Sequence, residues 1–226
     1  MTKFFMYDSE LEELEQLMML VPNFVPRGSG MVVVRGFVKG DPHQEQVTLP
    51  NLINQVGVKS HVRYLNLIDE AYESLIANCI HECKLYRFRS RLEYLIRTCS
   101  GDFFTSPTHK ARFDSVCRLQ EIPIENRSPI HLAVLFLLTA DDKLWSAAKD
   151  HVYAGSFNFK KMILSGINTD GYAIYQMAKT IYTAKECISM DEIADKFLIG
   201  DQAFKAIIHS ILIAKYGATV FRVKFK

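Results

Sequence analysis

A chain of 226 residues with 49% hydrophobic and 23% charged side chains can bury an ordinary core, and it fits one large domain or two modest ones. Its formal net charge of +2 advertises neither a nucleic-acid nor a membrane partner by itself. Charge is spread unevenly: residues 1–60 carry five Lys/Arg against seven Asp/Glu and residues 161–226 carry nine against six, a mild basic bias short of a polybasic tail.

Five cysteines (Cys79, Cys83, Cys99, Cys117, Cys187) make an odd number in a chain too long to need disulfide staples. The opening MTKFFMYDSELEELEQ turns acidic within eight residues, unlike a secretory leader, so a reducing cytoplasm is the expected compartment. The longest apolar run, Leu132–Ala140, falls far below the ~20 residues of a membrane span, and no membrane partner is expected.

Taken in order, Asp8 or Ser9 caps a first helix whose early acids Glu10, Glu12 and Glu13 face its positive end. Leu11, Leu14, Leu17 and Met18 give that helix an apolar face, and Pro22 ends it. MVVVRGFV (Met31–Val38) is β-branched and reads as a strand, with Gln44–Leu49 as its hairpin partner. Helical periodicity then runs from Val62 to Arg97; one such helix would span roughly 50 Å, so a break near Cys83–Lys84 is expected. After the boundary GDFFTSPTH, helices are expected to open at Ser106–Pro107, Ser128–Pro129, Asp141–Asp142 and Gly171, with a short one at Asn158–Leu164. His131–Leu138, apolar nearly all round, is the expected central helix. The closing ATVFRVKFK alternates like a strand. The expected fold is therefore mostly α: a small α+β N-terminal part over residues 1–103 with a short β-hairpin, then a helical C-terminal domain over residues 104–226 ending in a short strand.

Candidate chemistry is sparse. Cys79, His81 and Cys83 suggest a metal cluster, but on a helix His81 points about 200° away from the two thiols. A fourth ligand would have to come from Cys99 or His61, so semi-buried thiols explain the cysteines better and no metal or other cofactor is expected. Asp141 and Asp142 followed by His151 hint at acid–base work, yet helix capping accounts for both aspartates. His109 and His131 stand alone.

Two stretches could meet nucleic acid. In CKLYRFRSRLEYLIR, Lys84, Arg87 and Arg91 line one helical face beside the apolar stripe Leu85, Phe88, Leu92 and Leu95, while Arg89 and Arg97 flank Glu93 as surface ion pairs. Such a basic face grips phosphates or an acidic protein, or is merely solvated. MDEIADKFLIGDQAFKAIIHSILIAKYG has the cadence of helix-turn-helix, with Gln202, Lys205 and His209 as the polar groups that would touch DNA and Arg222 and Lys224 on a following wing. Its second helix is too apolar for a base reader and suits a core helix better.

The segments FLLTADDKLWSAAKDHV, GYAIYQMAKTIYTA, MDEIADKFLI and FKAIIHSILIAKYG occur in order between Pro107 and Phe221. Over this half the chain resembles an uncharacterised family of mostly helical proteins from low-GC Gram-positive bacteria, their phages and conjugative elements. The resemblance implies no activity and assigns no functional residue; it implies a gene that travels on mobile DNA. The leading expectation is a non-enzymatic binding protein of a phage or mobile element that acts on a host protein or nucleoprotein complex handling nucleic acid. An inhibitor of a defence nuclease, of the anti-CRISPR type, is one concrete form. The alternatives are a DNA-binding regulator using the C-terminal helix-turn-helix-like unit, and an enzyme whose site is assembled only in three dimensions. The sequence sets no oligomeric state.

Overall fold

A helix that is apolar all round has no face to offer water, and two stretches of this chain have that composition. They form the centre of the computed structural model, which describes residues 72–80, 85–99 and 103–223. The helices are α1 (Tyr72–Ile80), α2 (Tyr86–Thr98), α3 (Pro107–Leu119), α4 (Pro129–Ala140), α5 (Asp142–Ala148), α6 (Thr169–Thr183), α7 (Met190–Ala194) and α8 (Asp201–Tyr216). The described residues are mostly helical and contain no strand; an isolated antiparallel bridge joins Val152 and Phe157. The most extensive contact is between α4 and α8, and α6 lies against both. Every residue from His131 to Thr139 is buried, as are eleven of the sixteen in α8. Asp201–Arg222 is also long and apolar enough to cross a membrane, but 67% of its apolar window is buried inside the protein, as in a core helix.

The core runs across the expected boundary at 103–104. Tyr72, Leu75 and Ile76 of α1 and Phe88, Leu92 and Leu95 of α2 belong to the same buried cluster as the central helices. Phe103 and Phe104 bind the two sides together. Phe103 stacks on His209 at 4.2 Å, and Phe104 borders Phe113, Phe136 and Phe221.

Helix starts follow local chemistry. Ser106 accepts from the His109 amide with Pro107 behind it, Asp141 accepts from the Leu144 amide, and Asn168 accepts from the Gly171 amide. Ser189 and Glu192 form a reciprocal capping box on α7. Two of these caps converge on Gly171, where a Cβ would stand 2.7 Å from Ile167 Cγ2, 3.2 Å from Asn168 Oδ1 and 3.3 Å from Asp141 Oδ1. Gly171→Ala should therefore disturb both caps and cost about 1–2 kcal/mol, read as a fall of several degrees in the thermal midpoint. An unchanged midpoint would show that the caps tolerate the methyl group.

The C-terminal segment differs from its expectation. Gly217–Arg222 is a 3-10 helix, not a strand. Val220 and Val223 are both buried, and their spacing of three matches the 3.0 residues per turn of that helix. Phe221 between them packs on Phe103, Phe104 and Phe113, so the apparent alternation of polar and apolar residues does not separate two sheet faces. Asn158–Leu164 contributes only the 3-10 turn Phe159–Lys161. The expected N-terminal helix and the hairpin over residues 31–49 lie outside the described residues.

Candidate functional site

Helix α2 has the sequence YRFRSRLEYLIRT, with four arginines against one glutamate. Its buried residues are Phe88, Arg91, Leu92 and Leu95, so Arg91 lies within the apolar stripe at i+3 from Phe88. The expected basic row of Lys84, Arg87 and Arg91 is thereby broken. Arg91 is only 9% exposed. Its Nη1 donates to the Ile193 carbonyl at 2.9 Å, its Nη2 donates to Asp201 Oδ1 at 3.1 Å, and its guanidinium lies 4.2 Å from the centre of the Phe204 ring. Its Nε is buried without a hydrogen-bond partner among the described residues. Burial lowers the Arg91 pKa, while Asp201, Asp170 and Asp195 act in the opposite sense. Arg91 ties α2 to α7 and α8; it is not offered to a partner. Arg87 is exposed, and Lys84 lies outside the described residues.

A different cationic face remains. Arg87, Arg89 and Arg97 are all exposed and make no ion pair among the described residues, so the expected pairs with Glu93 do not form. Two tyrosines share that side of the helix, Tyr86 at 81% and Tyr94 at 50% exposure. Tyr94 also forms one wall of a shallow cleft of about 210 Å³, completed by Arg91, Leu95, Thr98 and Cys99 of α2 and its end and by Asp201, Gln202, Phe204 and Lys205 of α8. The result is a surface of arginine and tyrosine continuous with a polar cleft.

The residues expected to touch DNA are dispersed. Gln202 is exposed on the cleft, whereas Lys205 is half-buried and donates from Nζ to the Phe104 carbonyl at 3.1 Å. His209 is completely buried, which corrects its expected place among the polar groups that would touch DNA. A carbonyl can only accept, so His209 Nδ1–H donates to the Phe103 oxygen at 2.5 Å. Nε2 then accepts from the Tyr72 hydroxyl at 2.6 Å. Burial pushes the His209 pKa down to about 3, against the opposing effect of the Phe103 hydrogen bond. Burial, with Cys99 adding to it, raises Tyr72 far above the ordinary tyrosine range, so its hydroxyl stays a donor. Arg222 is exposed and pairs with Glu125 at 3.2 Å, and Lys224 lies outside the described residues. With Ala203, Phe204 and Ala206–Ala214 all buried, α8 has no face to lay in a DNA groove.

The acid–base candidates are structural in this arrangement. Asp141 caps α5 through the Leu144 amide, and Asp142 pairs with Arg112. His151 makes no hydrogen bond to either aspartate among the described residues; its backbone carbonyl accepts from Asn158 in the turn that closes the Val152–Phe157 bridge. His109 is buried, accepting at Nδ1 from the Thr105 amide and donating from Nε2 to the Phe136 carbonyl at 2.9 Å. His131 is buried against the Phe157 ring, and burial, aided by Arg127, lowers its pKa. His81 and Cys83 lie outside the described residues, as does the Cys79 side chain, and the described residues hold no group of three metal-ligating side chains.

Sequence reasoning missed Tyr86 and Tyr94 as surface groups and assigned Arg89 and Arg97 to ion pairs. The available signal was the stripe itself. Placing Phe88, Arg91, Leu92 and Leu95 inward turns the remaining arginines and both tyrosines outward.

No protein-family model matches the chain, and neither a curated protein nor a solved structure matches it.

Proposed function

We propose that the protein works by binding and not by catalysis, docking the outer face of α2 on an anionic surface of host nucleic-acid-handling machinery. The observation that carries this reading is the set of three exposed arginines, Arg87, Arg89 and Arg97, without carboxylate partners among the described residues and flanked by Tyr86 and Tyr94. Arginine and tyrosine are the residues that interfaces favour, because each brings a large contact area and directional hydrogen bonding. The mobile-element setting comes from the family resemblance of residues 107–221, and inhibition of a defence nuclease remains one form of such binding. This function needs no cofactor and operates in the cytoplasm, where such machinery works.

The test is capture from a low-GC Gram-positive lysate by the full-length protein and by an Arg87→Glu/Arg97→Glu variant. A stoichiometric partner is expected with the unmodified protein, weakened by salt and lost from the variant, while the melting temperatures of the two proteins agree. These arginines are exposed, and surface substitutions of this kind shift stability by only about 0.5 kcal/mol. Failure to recover a partner, or recovery indifferent to the two substitutions, would remove the reading.

A further inference from the structure

We infer that the α2 face is a single-stranded nucleic-acid site, with Tyr86 and Tyr94 as stacking platforms and Arg87, Arg89 and Arg97 as phosphate contacts. This deepens the reading of α2 as the docking face and rests on it. Eight residues separate the two tyrosines, which puts them about 12 Å apart along the axis and about 80° apart around it. Arg89 is three residues from Tyr86 and Arg97 three from Tyr94, so each ring has an arginine one turn away. Arg87 lies on the line of Tyr94 but about 10 Å before it, and the exposed Glu93 shares this side, leaving a net charge of about +2 on it. Each ring thus has a cation within one turn of it along one exposed side, as each base of a strand has a phosphate beside it.

The exposed rings favour a single strand over other anionic partners. In a duplex each base face is covered by its neighbours, so Tyr86 and Tyr94 would have nothing to stack on; unpaired bases leave those faces open. An acidic protein would satisfy the arginines and cover the 81%-exposed Tyr86 as well, so the single strand is distinguished by the open base faces on which both rings stack. Beyond Tyr94 the cleft supplies Thr98 and Gln202, whose polar groups suit the edge of a base stacked on that ring, while its carboxylate, Asp201, is paired with Arg91 and Lys205 is engaged with the Phe104 carbonyl.

The experiment is fluorescence anisotropy of labelled 20-residue oligo-dT, oligo-U and a 20-base-pair duplex with the purified full-length protein, over a range of salt. Binding to the single strands is expected to be tighter than to the duplex, with a log–log salt slope of about −2 for three phosphates. Tyr86→Ala and Tyr94→Ala should each weaken it about tenfold. Tyr86→Phe and Tyr94→Phe should restore it, since the ring is kept, and Arg97→Gln should flatten the slope by about 0.7. Equal or tighter duplex binding, or affinity unmoved by the tyrosine-to-alanine changes, would overturn the inference. Should no oligonucleotide bind while the lysate partner is still lost on arginine reversal, the inference falls and α2 stands as a face for an acidic protein. Loss of both results would remove the inference and the proposed function together.

Discussion

Arg91→Ala is expected to destabilise the protein by about 2–4 kcal/mol without being a binding mutation. The substitution removes hydrogen bonds to the Ile193 carbonyl and to Asp201, together with the contact with Phe204. Asp201 is largely solvated and recovers water, so most of the loss comes from the buried Ile193 carbonyl and from the space beneath α2. Arg91→Lys keeps the charge but cannot span both acceptors as the planar fork does, and should recover only part of the loss. Arg91→Glu would place an anion near Asp170, Asp195 and Asp201 and should be the worst of the three. Denaturant midpoints measured at unchanged slope would read these differences. Wild-type stability in Arg91→Ala would show that the bridge between α2, α7 and α8 contributes nothing, and the face opposite it would lose its support.

A second large effect should appear as pH falls. His209 is neutral in the folded state with its pKa near 3, whereas the unfolded chain titrates it near the ordinary value of 6.5. Between those values the unfolded state binds the extra proton, so folding stability rises with pH across the window. The stabilisation is complete above about pH 6.5 and declines as pH drops toward 3, at up to roughly 1.4 kcal/mol per unit. Lys205 and His109 repel the same proton, and no carboxylate is among the causes of the shift. His131 shifts in the same direction, so the informative quantity is the difference between the unmodified protein and His209→Gln. The variant should be less stable at neutral pH, because the imidazole packs between Tyr72, Phe103 and Phe136. It should also show the shallower pH dependence between about pH 6.5 and pH 4. Parallel pH profiles would mean that His209 titrates normally and is not enclosed.

Several elements are legible in the chain because they depend on residues within one or two turns. Ser106–Pro107 and Ser128–Pro129 open α3 and α4, and Asp141 opens α5. The cadence over Met190–Gly217 resolves into α7, a turn and α8. The composition of His131–Leu138 places α4 at the centre. Gly171, which the sequence reading took as a helix start, lies three residues after the true cap Asn168, and its role is to let the caps of α5 and α6 approach.

What the sequence by itself determined is where helices begin, which of them are apolar enough to be interior, and that the described part is helical. Those properties come from capping, periodicity and composition, all local. Only the tertiary structure decided which side of α2 faces water, that His209 is enclosed and that Gly217–Arg222 coils as a 3-10 turn. Each of these depends on partners far away in the chain: Arg91 finds Ile193 102 residues on, His209 finds Tyr72 137 residues back, and Phe221 finds the Phe103–Phe104 pair. A charged side chain enters a core when the fold supplies its acceptors, and no spacing within thirteen residues of α2 can say whether it will.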